Sequence, residues 1–327
     1  MSTLISQAPR AALRGLLRGT VPAIPLFVPL LHAVAASVEA LELRDILFNP
    51  TKLTKGLQGL RQAITTDALF CASPSGMEAE ALGAHLNWDR YPPRVTKPLA
   101  LDTDLPESVL TDVLTSPRVV ATIETTRRLA LTEKTGVLLA AALTGPATLA
   151  DELGGHRFAT GFSAGSEVSL PTLGLASRAV LLVARALLEA GVNLLLLVEN
   201  VLPVQSAATA PWAAALSPII NVARFHRALP VVVLPPYRQP SDIEDCIATL
   251  PAGTMLCVTT DALALRRPTG PIAVALPPDP AQWAIPAFAS SLVTTSAEIS
   301  PQSNIPALRQ ACEAMRAGLI HIKASER

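Results

Sequence analysis

The sequence predicts an α/β protein, a single (β/α)8 TIM barrel with an N-terminal helical extension. The first reason is the stretch from Ala190 to Leu202, which combines a helix end, a glycine turn and an uninterrupted run of leucine and valine. Such a run, without polar alternation, is typical of a parallel strand that is buried on both faces. The second reason is that the same unit, a helix, an apolar strand and a polar exit, recurs along the chain.

Eight segments fit the strand part of this unit. The predicted strands are 21–31, 67–72, 136–143, 192–198, 229–234, 254–258, 272–276 and 291–294. The first contains three prolines and is expected to be irregular. The predicted helices are 8–18, 37–47, 52–64, 78–86, 106–115, 117–133, one from 147, 171–190, 211–228 and 300–317. We expect residues 1–327 to form one barrel domain, with 87–106 as a loop containing a short extended piece and 154–169 as a loop long enough for a lid.

Composition limits the classes of partner. Half of the residues are hydrophobic and 16 % are charged, and 26 Lys and Arg balance 26 Asp and Glu. A chain without net charge gives no sign of a nucleic-acid partner but favours self-association, so a homodimer is expected. The longest apolar run, 179–198, is interrupted by Arg185, Glu189 and Gly191 and divides into a helix and a strand. We therefore expect a cytoplasmic protein without a membrane partner.

Neither a metal nor another cofactor is indicated. The cysteines at 71, 246, 257 and 312 do not fall in a CxxC or CxH spacing, so reduced thiols are expected and a zinc knuckle is not. The glycine-rich segments lack the spacing of a phosphate-binding loop. The sequence thus predicts a site that works without a metal or a cofactor.

The strand exits supply the candidate site residues, because barrel enzymes place their chemistry after the C-terminal ends of the strands. Glu199 and His32 are the candidate catalytic residues, since a carboxylate and an imidazole can transfer protons, and Asp261 could act similarly. The candidate substrate-binding residues are Tyr237, Arg238, Asn200, Thr144, Thr260, Ser73 and Thr294. Of these, Tyr237 and Arg238 form a pair that could bind one carboxylate or carbonyl group.

Several of these residues have an alternative, structural interpretation. Glu199 could be a carboxylate of the barrel rim in an ion pair, Asp261 could cap the next helix, and His32 could be a packed histidine in the barrel mouth. Glu298 follows the eighth strand, but its loop is expected to be solvated. Cys71 has no evident histidine partner in the sequence, so a buried and inert thiol is expected.

Four short motifs occur in a characteristic order: RGTVP at 18–22, TGPATLA at 144–150, PDP at 278–280 and SPQSN at 300–304. In this respect the chain resembles the uroporphyrinogen decarboxylase superfamily. That group includes the cobamide-dependent methyltransferases and is close in fold to cobalamin-independent methionine synthase. The TGPATLA stretch looks most like the methyltransferase branch. The resemblance implies a barrel with its site at the strand exits, and the decarboxylases of the group also favour a dimer.

The chain departs from the superfamily where its chemistry is expected. The resemblance implies arginines after the first strand that bind substrate carboxylates, and an aspartate after the second, but PLLH stands at 29–32 and ASPS at 72–75. It also implies, for the methyltransferases, a zinc held by His-x-Cys after the fifth strand and Cys near the eighth. This chain has LPP at 234–236 and TTS at 294–296. Leucine, proline and threonine cannot replace the nitrogen and sulfur ligands of such a zinc site.

The predicted mouth is therefore apolar, with a few hydroxyl groups and one or two carboxylates. Such a mouth suits a mostly apolar small organic molecule that a few hydrogen bonds orient. The sequence predicts a repurposed, metal-free member of the superfamily with lyase, decarboxylase or cyclase chemistry. Two alternatives stay open: a corrinoid-linked methyltransferase, which requires a corrinoid protein as partner, and a non-catalytic binding or scaffold subunit.

Overall fold

The computed structural model describes residues 9–97, 99, 108–133, 136–154, 157–163, 170–202, 206–234, 248–259, 271–286 and 290–325. Its strands are β1 (Leu26–Phe27), β2 (Ala68–Ala72), β3 (His85–Asn87), β4 (Arg94–Lys97), β5 (Leu138–Thr144), β6 (Leu194–Val198), β7 (Leu229–Val233), β8 (Met255–Thr259), β9 (Ala273–Leu276) and β10 (Leu292–Thr295). Its helices are α1 (Pro9–Leu16), α2 (Val34–Val38), α3 (Leu43–Leu47), α4 (Pro50–Ala63), α5 (Met77–Ala81), α6 (Ser108–Thr111), α7 (Pro117–Thr132), α8 (Pro146–Gly154), α9 (Arg157–Ser163), α10 (Leu170–Ala190), α11 (Ser206–Phe225) and α12 (Ile305–Ser325).

Eight parallel strands form one sheet in the order β1-β10-β9-β8-β7-β6-β5-β2. This order follows the chain around a (β/α)8 barrel and confirms the predicted fold class. Asp67 joins the two end strands. Its N–H donates to the Phe27 carbonyl at 2.9 Å, and its carboxylate accepts the Phe27 N–H at 2.8 Å. A side chain thus supplies a hydrogen bond that a regular ladder would take from the backbone.

The first barrel strand is much shorter than the predicted span of 21–31. Pro25 and Pro29 flank β1, and a proline has no N–H to donate to a neighbouring strand. Beyond the end of β1 the chain still runs alongside β10, because the Val28 N–H donates to the Val293 carbonyl at 2.8 Å.

The barrel interior is apolar, and α1 closes one end of it. The first residues of the strands form a buried cluster: Leu26, Ala68, Leu138, Leu194, Leu229, Met255, Ala273 and Leu292. Ala12, Leu13 and Leu16 of α1 belong to the same cluster. The N-terminal extension therefore packs against the N-terminal end of the barrel, and the opposite end is left for the polar strand exits.

We expect Leu13→Ala to lower the free energy of unfolding by about 2–4 kcal/mol, because it removes a buried leucine from this cluster. Leu13 is 6 % exposed, whereas Leu17, just beyond the helix, is 37 % exposed. Leu17→Ala is the matched control and should change stability by less than about 0.5 kcal/mol. Urea unfolding measures both, and equal losses would contradict the packing of α1 into the barrel.

Three other segments differ from the prediction. The segment predicted as a loop begins within an antiparallel ribbon of β3 and β4, whose few apolar residues give no clear periodicity. The short helix α9 lies in the segment predicted as a glycine-rich loop. Helix α12 continues to Ser325 because its apolar spacing persists past 317. In the described part of the chain, no helix is both long and apolar enough to cross a membrane.

Candidate functional site

Two groups of buried polar side chains lie at the C-terminal ends of the barrel strands. The first, which we call the histidine cluster, consists of His32, Ser73, Ser75, Tyr91, Arg118 and Glu298. The second, the carboxylate cluster, consists of Glu78, Thr144, Thr148, Glu152, Glu199 and Trp212. Burial raises the pKa of Glu78 and of Glu298, and the charge of Arg118 opposes the shift at both, so the two clusters are neighbours.

His32, which follows β1, is the residue of the histidine cluster whose side chain lacks hydrogen-bond partners. It is 3 % exposed, and neither ring nitrogen has a hydrogen-bond partner among the described residues. Glu298 Oε1 lies 3.9 Å from its Nδ1, which is too far for a hydrogen bond. Burial, and secondly the charge of Arg118, lower the pKa of His32 to about 3, while the Cys71 backbone, an acceptor close to the ring but outside hydrogen-bonding geometry, opposes the shift. At neutral pH the ring is therefore neutral, with one donor and one acceptor nitrogen.

Glu298 is held between the backbone after β1 and the ribbon segment. Its Oε1 accepts a hydrogen bond from the Ala33 N–H at 2.5 Å, and its Oε2 accepts one from the Tyr91 hydroxyl. The side chain is 4 % exposed, so the expectation of a solvated loop is wrong. The loop after β10 turns inward, and the Ile299 N–H donates to the Leu30 carbonyl at 2.9 Å. Burial raises the pKa of Glu298, while the hydrogen bonds it accepts oppose the shift.

Arg118 brings a buried cation to the exit of β2. Its Nη1 donates to the Ser75 carbonyl at 3.0 Å, and its Nη2 donates to the Ser75 hydroxyl. The Ser73 hydroxyl lies 3.1 Å from that of Ser75 and 3.3 Å from that of Tyr91. The guanidinium also lies 5.2 Å from the ring centre of Trp88. Arg118 comes from the start of α7, so the sequence around this strand exit contains no arginine that would predict it.

Glu199, the predicted catalytic carboxylate, is occupied by protein donors. Its Oε1 accepts from the Ala147 N–H at 3.2 Å and from Trp212 Nε1 at 3.0 Å. Its Oε2 accepts from the Thr148 N–H at 2.9 Å and from the Thr148 hydroxyl at 2.7 Å. The two N–H groups belong to the first turn of α8, where a carboxylate is favourable. Burial raises the pKa of Glu199 to about 7, while these hydrogen bonds oppose the shift.

The segment after β5 brings the carboxylates together. Glu78 accepts hydrogen bonds from the N–H and the hydroxyl of Thr144, at 3.1 Å and 3.2 Å. Gly145 follows, and a Cβ there would lie 2.2 Å from Glu199 Cδ, so only glycine leaves room for the carboxylate. Burial and the charges of neighbouring carboxylates raise the pKa of Glu152 to about 8. Its Oε2 is buried without a hydrogen-bond partner in the described part of the chain.

We expect the free energy of unfolding to fall as the pH rises from 6.5 to about 8. The folded-state pKa values of Glu199 and Glu152, about 7 and about 8, exceed the ordinary 4.5. The folded state therefore binds more protons than the unfolded state in this range, and stability is lost as these protons leave. His32 has the opposite effect, but only below its ordinary pKa of 6.5.

Urea unfolding across this pH range tests the expectation. Glu152→Gln should flatten the decline, because the amide does not titrate. Glu189→Gln is the matched control, since Glu189 is exposed on α10 and its hydrogen bond with Arg185 lowers its pKa, which keeps it ionised across the range. An unchanged pH dependence in Glu152→Gln would contradict the contribution of this carboxyl group.

The remaining predicted site residues have different positions. Thr144 lies in the carboxylate cluster and Ser73 in the histidine cluster. The Thr294 hydroxyl donates to the backbone that continues β1, at 2.8 Å, and so helps to close the barrel. Asn200 follows β6 and is exposed. Asp261, Thr260, Tyr237 and Arg238 lie outside the described residues.

Besides Ser75, which follows β2, six side chains of the two clusters were not predicted from the sequence: Glu78, Tyr91, Arg118, Thr148, Glu152 and Trp212. They come from helices or from the ribbon segment rather than from strand exits. Only Glu78 has a usable signal, because it is an acidic residue in the first turn of the helix that follows β2. Tyr91 lies in a segment without periodicity, and Arg118 looks in sequence like a charged residue on the surface of a helix.

The described residues do not fit the zinc site that the resemblance implies for the methyltransferases. Within the described ranges, no three or more His, Cys, Asp or Glu side chains are grouped so that they could hold a metal ion. Leu234 after β7 is buried and apolar, and the Thr294 hydroxyl is bonded to the backbone. Neither side chain offers the imidazole or thiolate that zinc takes in such a site.

Comparisons with known proteins agree with this architecture. A family model described as uroporphyrinogen decarboxylase (URO-D) matches residues 10–219. Among solved structures, a methyltransferase from Methanosarcina mazei is similar over 96 % of this chain and 99 % of that chain, with a TM-score of 0.71 and 16 % identity. At that identity the likeness shows the barrel fold alone. The search of curated proteins gives no match.

Proposed function

The chain belongs to the uroporphyrinogen decarboxylase family, and we propose that it is a repurposed enzyme of that family. Its substrate is a mostly apolar small organic molecule that binds at the C-terminal ends of the barrel strands. The chemistry is of the lyase, decarboxylase or cyclase type and uses no metal. Substrate orientation and the transfer of one or two protons supply the acceleration.

The observation that supports this proposal is the state of His32. A buried polar group without a partner costs about 1–3 kcal/mol of stability. Such a group in a native protein calls for an explanation, and a ligand that completes its hydrogen bonds is one. A neutral imidazole can also polarise or accept a proton from a substrate without being charged itself.

Other strand exits favour a mostly apolar ligand. Leu30 and Leu234 are buried apolar side chains at the exits of β1 and β7. Thr259, the last residue of β8, has a buried hydroxyl without a partner among the described residues. It shares a face of the strand with Cys257, which lines the barrel interior. A ligand there meets few polar groups, and these are suited to orienting it.

We assign the proton transfer to His32 rather than to Glu199, because both oxygens of Glu199 already accept protein hydrogen bonds. Tyr237 and Arg238 are proposed to bind a carbonyl or carboxylate group, and Asp261 to be a second proton-transfer group. Self-association as a homodimer remains a prediction from the zero net charge, as does a cytoplasmic location.

Native mass spectrometry tests the function after the protein is incubated with an organic extract of its source cells. The wild type and the control Glu189→Gln should retain a small apolar molecule, and His32→Leu should lose it. Conversion of that molecule by the wild type and by Glu189→Gln, but not by His32→Leu, completes the expected result. Ligand retention by His32→Leu without turnover in any variant would favour a binding subunit. Stoichiometric zinc together with methyl transfer from methylcobalamin would favour the corrinoid-linked methyltransferase.

A further inference from the structure

We infer that Glu298, held by Tyr91, fixes the tautomer of His32 so that Nδ1 carries the proton and Nε2 accepts a hydrogen bond from the ligand. This inference rests on the proposed role of His32 and extends it in two ways. It adds Glu298 and Tyr91 as positioning residues. It also names the ligand group at His32 as a proton donor, a hydroxyl or an N–H.

The position of the carboxylate is the first argument. Glu298 Oε1 lies 3.9 Å from His32 Nδ1 and accepts the N–H of Ala33, the next residue in the chain, at 2.5 Å. The carboxylate is therefore tied to the backbone that carries His32. Hydrogen bonds of a catalytic site are often long without a ligand and shorten when it binds. At 3.9 Å, before any such shortening, the negative charge of the carboxylate already favours hydrogen on the nearer nitrogen, Nδ1.

The second argument is the hydrogen-bonding capacity of each group, which decides which nitrogen of His32 carries the proton. Both oxygens of Glu298 accept hydrogen bonds from protein donors, as those of an ionised carboxylate do, and such a group stabilises the tautomer whose nearer nitrogen carries hydrogen. The Tyr91 hydroxyl donates to Glu298 Oε2, which holds the carboxylate in place and leaves Oε1 toward the ring. Burial, and secondly the charge of Arg118, disfavour a second proton on His32, so Glu298 and the Cys71 backbone compete for its one N–H, and the charged carboxylate is the stronger acceptor.

Nε2 is then the nitrogen left for the ligand. It has no hydrogen-bond partner among the described residues, although it is buried. In the Nδ1–H tautomer, Nε2 has a lone pair and can accept but not donate. A base whose second nitrogen is oriented by a carboxylate is a recurring arrangement for removing a proton from an O–H or N–H group. The ligand should therefore present such a group to His32.

Nitrogen NMR of the histidine side chains in isotope-labelled, ligand-free protein at neutral pH tests the inference. The chain has five histidines, and His32→Gln identifies the signal of His32 by its loss. The wild type should show the Nδ1–H tautomer. Glu298→Gln should weaken the tautomer preference about tenfold, because a charged acceptor is replaced by a neutral one. Tyr91→Phe should weaken it less, and Glu189→Gln should leave it unchanged.

An Nε2–H tautomer in the wild type would overturn the inference, as would an equal preference in the wild type and Glu298→Gln. If Glu298→Gln does not fold, Glu298→Asp keeps the charge but withdraws it by one methylene group and should weaken the preference measurably. The NMR measurement needs no ligand. A wild-type protein with the Nδ1–H tautomer that binds nothing from the extract would support the positioning role and contradict the proposed function.

Discussion

Glu199→Ala is expected to lower the free energy of unfolding by about 3–5 kcal/mol, because the substitution leaves several buried donors unpaired and opens a cavity. Glu199 is fully buried and accepts hydrogen bonds from Trp212 and from the first turn of α8. Each unpaired donor contributes about 1–3 kcal/mol. Urea unfolding measures the loss.

Glu199→Gln is the control that keeps the size of the side chain. Its amide oxygen can accept some of the hydrogen bonds that the carboxylate accepts. Glu199→Gln should therefore lose about half, or less, of the unfolding free energy that Glu199→Ala loses. Ligand binding should survive in Glu199→Gln, since we propose that His32 rather than Glu199 contacts the ligand. A fully stable Glu199→Ala protein that has lost all turnover would contradict this account and restore Glu199 as the catalytic carboxylate.

His32→Leu is expected to separate stability from function. Its free energy of unfolding should be unchanged or higher by about 1 kcal/mol, because an apolar group of similar size replaces two unpaired nitrogens. Its affinity for the ligand should fall by about 100-fold or more, which corresponds to about 2.8 kcal/mol. Functional sites often show this exchange of stability for activity. Urea unfolding and native mass spectrometry measure the two effects.

His226→Leu is the matched control, because His226 packs against Phe225 after α11, at the N-terminal end of the barrel. It should leave ligand affinity unchanged. The opposite pattern at His32, a large loss of stability with ligand affinity retained, would identify His32 as a structural residue of the barrel mouth.

The barrel could be predicted because its strands are buried on both faces. Strands such as β6 consist of apolar residues alone, and this pattern depends only on local sequence. The first strand was predicted too long because the prediction followed the apolar run. The prolines in that run hardly change its hydropathy, but they cannot donate the hydrogen bonds that a strand needs. The ribbon of β3 and β4 was predicted only as a short extended piece in a loop, because most of its residues are exposed and its apolar contacts are few.

The candidate site could be predicted only in part. His32 was found because a histidine at a strand exit is visible in the sequence. The residues around His32 could not be predicted, because Tyr91 and Glu298 are separated by 207 residues and meet only in the folded barrel. The same holds for Glu199, which accepts four hydrogen bonds from donors on α8 and α11. The sequence shows that a residue can carry a charge, but the hydrogen bonds that the residue makes depend on the tertiary structure.

A crystal structure of the protein with the molecule it selects from the extract tests the central claim most directly. We expect density for a mostly apolar molecule at the C-terminal ends of the strands, with a hydroxyl or N–H group within hydrogen-bonding distance of His32 Nε2. A metal held by side chains at the strand exits would contradict the account. So would a barrel mouth filled by the protein's own side chains, with His32 hydrogen-bonded to them.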